Sequence, residues 1–95
     1  MSSAKSILIT GGGGGIGLEM ARLLASLEHS LILVGRDAVR LQAAANELRA
    51  VHGAEVHVHS VDLSEPGAAQ RLFEHTQEHG FHIDTLINNA GFGIV

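Results

Sequence analysis

Six glycines lie within residues 10–17, five of them consecutive, and a stretch of this kind suits close contact with a phosphate group. The apolar run at residues 7–9 before it has the length and branching of a buried strand. After it, apolar residues recur at helical spacing, which predicts an amphipathic helix carrying Ile16, Met20, Leu23, Leu24 and Leu27. Glycines let a ligand approach the backbone, and a helix N-terminus offers unpaired N–H groups to a pyrophosphate. A strand, a glycine turn and a helix in this order favour a nucleotide site over a merely flexible loop.

The glycines alone fit two motifs equally well. Residues 12–17 contain Gly-x-Gly-x-x-Gly, the usual dinucleotide fingerprint, and residues 10–17 contain Thr-Gly-x-x-x-Gly-x-Gly. A P-loop is excluded, because Leu18 and Glu19 follow Gly17 where that motif needs Lys and then Ser or Thr.

A second motif, Asn-Asn-Ala-Gly at residues 88–91, decides between them. Together with Thr-Gly-x-x-x-Gly-Ile-Gly it resembles the short-chain dehydrogenase/reductase family, and the resemblance extends over residues 6–91. It implies hydride transfer between a nicotinamide cofactor and an alcohol or carbonyl substrate. The cofactor-binding residues that we expect are Thr10, Gly11, Gly13, Gly14, Gly15, Ile16, Gly17, Arg36, Asp62, Leu63, Asn89, Ala90 and Gly91.

Arg36 indicates which cofactor is bound. By the resemblance, Gly35 stands where an acidic residue holds the ribose hydroxyls of NAD, and it has no carboxylate. Arg36 follows directly and can clamp a 2′-phosphate through charge-assisted hydrogen bonds, which favours NADP(H) over NAD(H). Two alternatives stay open: Asp37 lies near the usual offset of a ribose-binding acid, although we prefer it as a helix cap, and Arg36 could be a solvated surface residue. The glycines at residues 12–14 weaken this prediction, because they supply only backbone N–H groups.

The resemblance also implies that Asp62 accepts a hydrogen bond from the adenine amino group, with Leu63 beside the ring. The alternative is a loop aspartate that caps the next helix. For Asn88 we expect a structural role at the end of its strand, and for residues 89–91 contact with the cofactor.

Catalytic residues are not found in this chain. The family uses Tyr-x-x-x-Lys and a Ser, whereas the chain has no tyrosine and its one lysine, Lys5, precedes the first strand. We therefore expect an NADP(H)-binding segment of a short-chain dehydrogenase/reductase, inactive alone, with the catalytic half lying beyond Val95. The alternatives are a non-catalytic nucleotide-binding module and an interaction fragment whose glycine motif is vestigial.

The elements that must position these residues alternate regularly. Strands are predicted at residues 7–9, 31–34, 55–61 and 83–88, and helices between them. The first helix should span residues 15–28 and the second should begin after Asp37 and end at Gly53. The third should be capped by Ser64 and end at Gly80, with its inward face formed by Ala69, Leu72, Phe73 and Thr76.

This order is βαβαβαβ and predicts an α/β, Rossmann-type, doubly wound parallel sheet, here partial, within one domain over residues 1–95. The strand order 3-2-1-4 follows from the resemblance. With that order the fourth strand lacks its usual neighbour, so residues 83–87 form an open apolar edge, and we expect self-association through it.

The amino-acid composition argues against several classes of protein. A net charge of −4 gives no support for a nucleic-acid surface, and no apolar run is long enough for a membrane span. Without cysteine there is no disulfide or thiolate site, and the cytoplasm is the expected location. The pairs His57/His59 and His75/His79 could each ligate zinc, but neither has an evident third ligand, so we predict solvated histidines and no metal.

Overall fold

Four strands alternate with three helices in the computed structural model, which describes residues 5–11, 15–80 and 82–88. The strands are β1 (Lys5–Thr10), β2 (Ser30–Gly35), β3 (Val56–Ser60) and β4 (His82–Asn88). The helices are α1 (Gly15–Ser26), α2 (Ala38–His52) and α3 (Ala68–Glu78). All strand pairs are parallel and the sheet order is β3-β2-β1-β4. The predicted fold class and strand order are confirmed.

Both faces of the two central strands are buried, which explains why their sequences are continuously apolar. One face packs against α1 and α2, and its largest strand residues are Ile7, Ile9, Leu31, Leu33 and Val56. The other face packs against α3 through Leu8, Ile32, Val34 and Leu72. The sheet is therefore doubly wound.

Helix α1 meets the sheet mainly through small residues. Its buried positions are Gly17, Ala21 and Ala25, four residues apart. Leu24, one of the apolar residues that predicted the helix, is partly buried and packs against the core, whereas Ile16, Leu23 and Leu27 are 70%, 61% and 60% exposed. Small side chains let the helix lie close to the strands, and these three larger residues then face away. The helix also ends at Ser26, earlier than predicted, because Glu28 takes a left-handed conformation with φ 68°.

Helix α2 agrees with its prediction at both ends. The Asp37 side chain accepts a hydrogen bond from the Arg40 N–H at 3.2 Å, as an N-cap does. Gly53 ends the helix in the left-handed conformation, with φ 65°. The buried face is the one predicted: Leu41, Ala44, Ala45 and Leu48.

The predicted start of α3 was wrong, and its predicted buried face was right at two of four residues. Ser64 does not cap the helix, which begins at Ala68 after Gly67 in a left-handed conformation with φ 78°. Leu72 and Thr76 are buried as predicted, together with Ala68, whereas Ala69 is exposed and Phe73 is 56% exposed. The sheet accepts the stripe of residues 68, 72 and 76, and the side chains at 69 and 73 lie outside it. The end was predicted correctly, since Gly80 follows with φ 73°.

The outer strands of the sheet are β3 and β4 among the described residues. β3 was predicted nearer the edge from its alternating pattern, and the order confirms this. Its outer edge is partly covered, because the Arg49 guanidinium donates to the Val56 carbonyl at 2.5 Å. In the described part of the chain, no helix has the length and apolar character needed to span a membrane.

Candidate functional site

The C-terminal ends of the strands meet at one edge of the sheet, where open α/β folds bind ligands. Thr10 pairs with Val34 on one side and with Asn88 on the other. Two short backbone bonds extend this alignment past the strands: Gly11 N–H donates to the Val34 carbonyl and Val61 N–H to the Gly35 carbonyl, both at 2.7 Å. The residues that follow β1, β2 and β3 are thereby held side by side.

The glycine turn after β1 needs glycine at both of its described ends. Gly11 has φ 71° and Gly15 has φ 58°, a conformation that residues with a Cβ adopt at a cost. Gly17 is buried against the sheet, while Ile16 is exposed beside it. Gly13 and Gly14, two of the predicted contacts, lie with Gly12 outside the described residues.

Thr10 belongs to the sheet as much as to the turn. Its side chain is buried, and its hydroxyl donates to the Ile87 carbonyl at 3.5 Å, which ties β1 to β4 at the site edge. Its predicted contact with the cofactor stays a prediction.

Arg36 is exposed at the end of β2, with its carbonyl held by the Ser60 hydroxyl at 3.2 Å. Gly35 before it does not require glycine, since a Cβ there would stand 3.5 Å from the nearest Leu41 carbon, an ordinary contact. The absence of a side chain at this position is thus not required by packing around a Cβ. Asp37 is the helix cap that we preferred, and its carboxylate is engaged by the Arg40 N–H.

Asp62 lies just after β3 and is held by Ser64 rather than by a helix. One carboxylate oxygen, Oδ1, accepts from the Ser64 hydroxyl at 2.6 Å and from the Ser64 N–H at 2.9 Å. These bonds lower the pKa of Asp62, and the positive charge of Arg36 adds to the effect. Among the described residues no donor bonds to Oδ2, so this oxygen can accept from a ligand.

The sequence prediction missed two residues that support the site, Ser60 and Ser64. Asp-x-Ser is a known pattern for a side chain that bonds the backbone two residues on, so Ser64 could have been found. Leu63 is half-buried and packs at the margin of the core on the α3 side. Asn89, Ala90 and Gly91 lie outside the described residues, and their predicted contacts stay predictions.

We predicted that the histidines would be solvated, but His59, His75 and His79 contact one another. The ring centroids of His59 and His75 are 4.4 Å apart, and those of His75 and His79 are 4.2 Å apart. Burial lowers the pKa of His59, and the charges of His75 and His79 lower it further. Over the described ranges, no group of three or more His, Cys, Asp or Glu residues is arranged to hold a metal ion.

The fold and the strand-end geometry define a Rossmann-type α/β protein. A family model described as short chain dehydrogenase matches residues 5–95, and the chain belongs to this family. An uncharacterised oxidoreductase of Mycobacterium tuberculosis is 37% identical over 92 residues, which cover 95% of this chain and 27% of that protein.

Two solved structures are similar as well. A short-chain dehydrogenase from Sphingobium yanoikuyae, in complex with NADPH, is 40% identical with a TM-score of 0.82, over 92% of this chain and 34% of that one. L-Sorbose reductase from Gluconobacter frateurii, complexed with NADPH and L-sorbose, is 35% identical with a TM-score of 0.85, over 94% and 34%. The chain thus spans about a third of the length of these relatives or less.

Proposed function

We propose that this chain is the NADP(H)-binding segment of a short-chain dehydrogenase/reductase whose full-length form transfers hydride between NADP(H) and an alcohol or carbonyl substrate. The observation that carries the proposal is the end of β2, where Gly35 supplies no carboxylate although a Cβ would fit there, and where an exposed Arg36 follows. An arginine can bind a 2′-phosphate through paired charge-assisted hydrogen bonds. Two similar structures contain NADPH by their own descriptions.

The described residues fit the adenosine half of such a cofactor. Backbone N–H groups at the glycine turn and at the start of α1 suit the pyrophosphate. Asp62 offers Oδ2 to the adenine amino group, and its lowered pKa keeps it ionised as an acceptor at neutral pH. When bound, the cofactor supplies the hydride that a reductase transfers, while these side chains only bind and orient its adenosine end.

The competing functions are a non-catalytic nucleotide-binding module and an interaction fragment whose glycine turn is vestigial. The absence of tyrosine from the sequence favours a function without catalysis for the 95-residue chain taken alone. The presence of an ordered Asp62 and an exposed Arg36 at adjacent strand ends favours a working nucleotide site.

A titration with 2′,5′-ADP, the adenosine half of NADP, separates a working site from a vestigial one. We expect the chain to bind it and Arg36→Ala to lose about 10-fold or more in affinity, as one charge-assisted bond implies. Arg22→Gln is the matched control, because Arg22 carries the same charge but is paired with Glu19 and Glu47 on α1 and α2. No binding by the unmodified chain, or equal losses in both variants, would contradict the proposal.

The proposal also covers how copies of this chain assemble and where in the cell the chain is found. β4 is paired only with β1 among the described residues, and its Leu86 is 63% exposed. An edge of this kind is a template for pairing with another chain, which supports a homo-oligomer formed through β4.

The cytoplasm is the compartment we propose, and fractionation of cells that express the tagged chain tests it.

A further inference from the structure

A cavity of about 360 Å³ lies beside the outer edge of β3, apart from the strand ends described above. We call it the histidine pocket. Its polar lining consists of side chains that carry nitrogen donors or can acquire them: Gln42, Arg49, His57, His59, His75 and His79, with Thr76 beside them. The pocket is therefore built by three elements, α2, β3 and α3.

The charges around the histidine pocket are unbalanced. No acidic residue lines it, although the whole chain carries a net charge of −4. A carboxylate does contact one lining residue: Glu55 lies 3.2 Å from the Nε2 of His57. Arg49 supplies a permanent positive charge from α2, and its guanidinium is positioned by the Val56 carbonyl and the Asn46 side chain.

Protonation would concentrate positive charge in this pocket. The rings of His59, His75 and His79 lie in a row, with centroids 4.4 Å and 4.2 Å apart and neighbouring rings tilted by 45° and 39°. Like charges at such distances repel, and this repulsion is reflected in the lowered pKa of His59, of which burial is the larger cause.

The lowered pKa of His59 determines how the stability of the fold changes with pH. In the unfolded chain a histidine takes up its proton at about pH 6.5, whereas His59 in the folded chain requires a lower pH. Between these two pKa values the unfolded state binds more protons, so stability is lost as the pH falls below about 6.5. A bound anion would oppose this loss of stability, because its negative charge neutralises the positive charge that the protonated histidines add.

We propose that the histidine pocket binds a tetrahedral oxyanion of the phosphate or sulfate class once its imidazoles are protonated. The donors are the ring N–H groups of His59, His75 and His79 with the Arg49 guanidinium beside them. Binding holds α3 against β3 at acid pH, because the anion bridges the two elements. This site is independent of the proposed function, since no residue of the strand-end site lines the pocket.

Thermal unfolding in sulfate against chloride at equal ionic strength tests the proposal, because sulfate keeps its charge where histidine titrates. At about pH 5.5, with sulfate at about five times its dissociation constant, we expect the Tm to rise by about 4–8 °C more than at pH 8, where histidine is neutral. The comparison between the two pH values removes the general stabilisation that excluded salts give every protein.

Variants show which residues cause the extra rise in Tm. His75→Gln should abolish the extra rise, and so should His79→Gln, an exposed position that keeps the experiment informative if the first variant is poorly folded. His29→Gln, which removes an exposed histidine before β2, should keep it, and so should Arg36→Ala, which alters the strand-end site. Inorganic phosphate and glycerol 2-phosphate, added in place of sulfate, distinguish a free ion from an organic phosphate as the preferred ligand.

Three results would overturn the proposal. One is acid destabilisation that sulfate relieves no more than chloride does. The second is a sulfate response that is equal at both pH values, and the third is a response that survives His75→Gln and His79→Gln.

Discussion

At the strand ends, some side chains are available to a ligand and others hold these side chains in place. Asp62 has one oxygen occupied by Ser64 and one available, so its orientation is set before any ligand arrives. Arg36 is fixed through its backbone by Ser60, while its side chain is exposed. A site prepared in this way loses less freedom when the ligand binds.

Asp62→Ala should weaken the binding of 2′,5′-ADP by about 5- to 30-fold, the effect of losing one hydrogen bond to a charged group. Calorimetric titration measures the loss, and circular dichroism checks that the fold is intact. Ser64→Ala is the informative companion: it leaves the carboxylate in place but frees its orientation, so a smaller loss is expected. Unchanged affinity in Asp62→Ala would make Asp62 a turn residue only.

At the scale of elements, the helices show which local signals are strong. α2 was predicted at both ends because a cap side chain and a left-handed glycine act within one turn of the chain. The start of α3 was wrong because Gly67 moves it past Ser64, and Ala69 and Phe73 are exposed because the sheet accepts the stripe formed by Ala68, Leu72 and Thr76.

Asp37→Ala should lower the free energy of unfolding by about 1 kcal/mol, because α2 loses its N-cap, whereas Asp37→Ser should restore most of it. Both variants should keep their affinity for 2′,5′-ADP, since we assign Asp37 to the helix and not to the ribose. Chemical denaturation and calorimetric titration on the same samples separate the two roles. A loss of affinity in Asp37→Ser at unchanged stability would assign Asp37 to the ribose instead.

The paired motifs predicted the sheet order through the family resemblance, whereas the residues that they assign to the cofactor site stay predictions. The sequence did not predict the contact of the His59 and His75 rings, because that contact depends on how α3 lies across β3. Nor did it predict the exposure of Leu23 and Leu27, because apolar spacing alone does not tell which helix face the sheet accepts. Contacts between elements that are distant in the sequence therefore could not be predicted from local patterns.

At the scale of the whole molecule, the described sheet has two unlike edges. The β3 edge is partly covered by Arg49, whereas β4 presents exposed Asp84, Thr85 and Leu86. A small domain has little stability to spare for an open apolar flank, so association through β4 is the expected outcome.

Leu86→Lys should shift the chain toward monomer, because a charge on an edge strand opposes pairing with a second chain. Sedimentation velocity at micromolar concentration measures the shift. Val51→Lys is the matched control, since Val51 is 67% exposed on α2, comparable to Leu86 at 63%, but away from the edge. A folded monomer for the unmodified chain, or the same shift in both variants, would contradict assembly through β4.

The central claim is that this chain binds the phosphorylated cofactor through Arg36. Calorimetric titration of the unmodified chain with NADPH and with NADH, at one fixed salt concentration, tests it most directly. We predict that NADPH binds at least about 10-fold more tightly, because the 2′-phosphate adds a charge-assisted contact that NADH lacks. Equal affinity for the two cofactors, or tighter binding of NADH, would contradict the account.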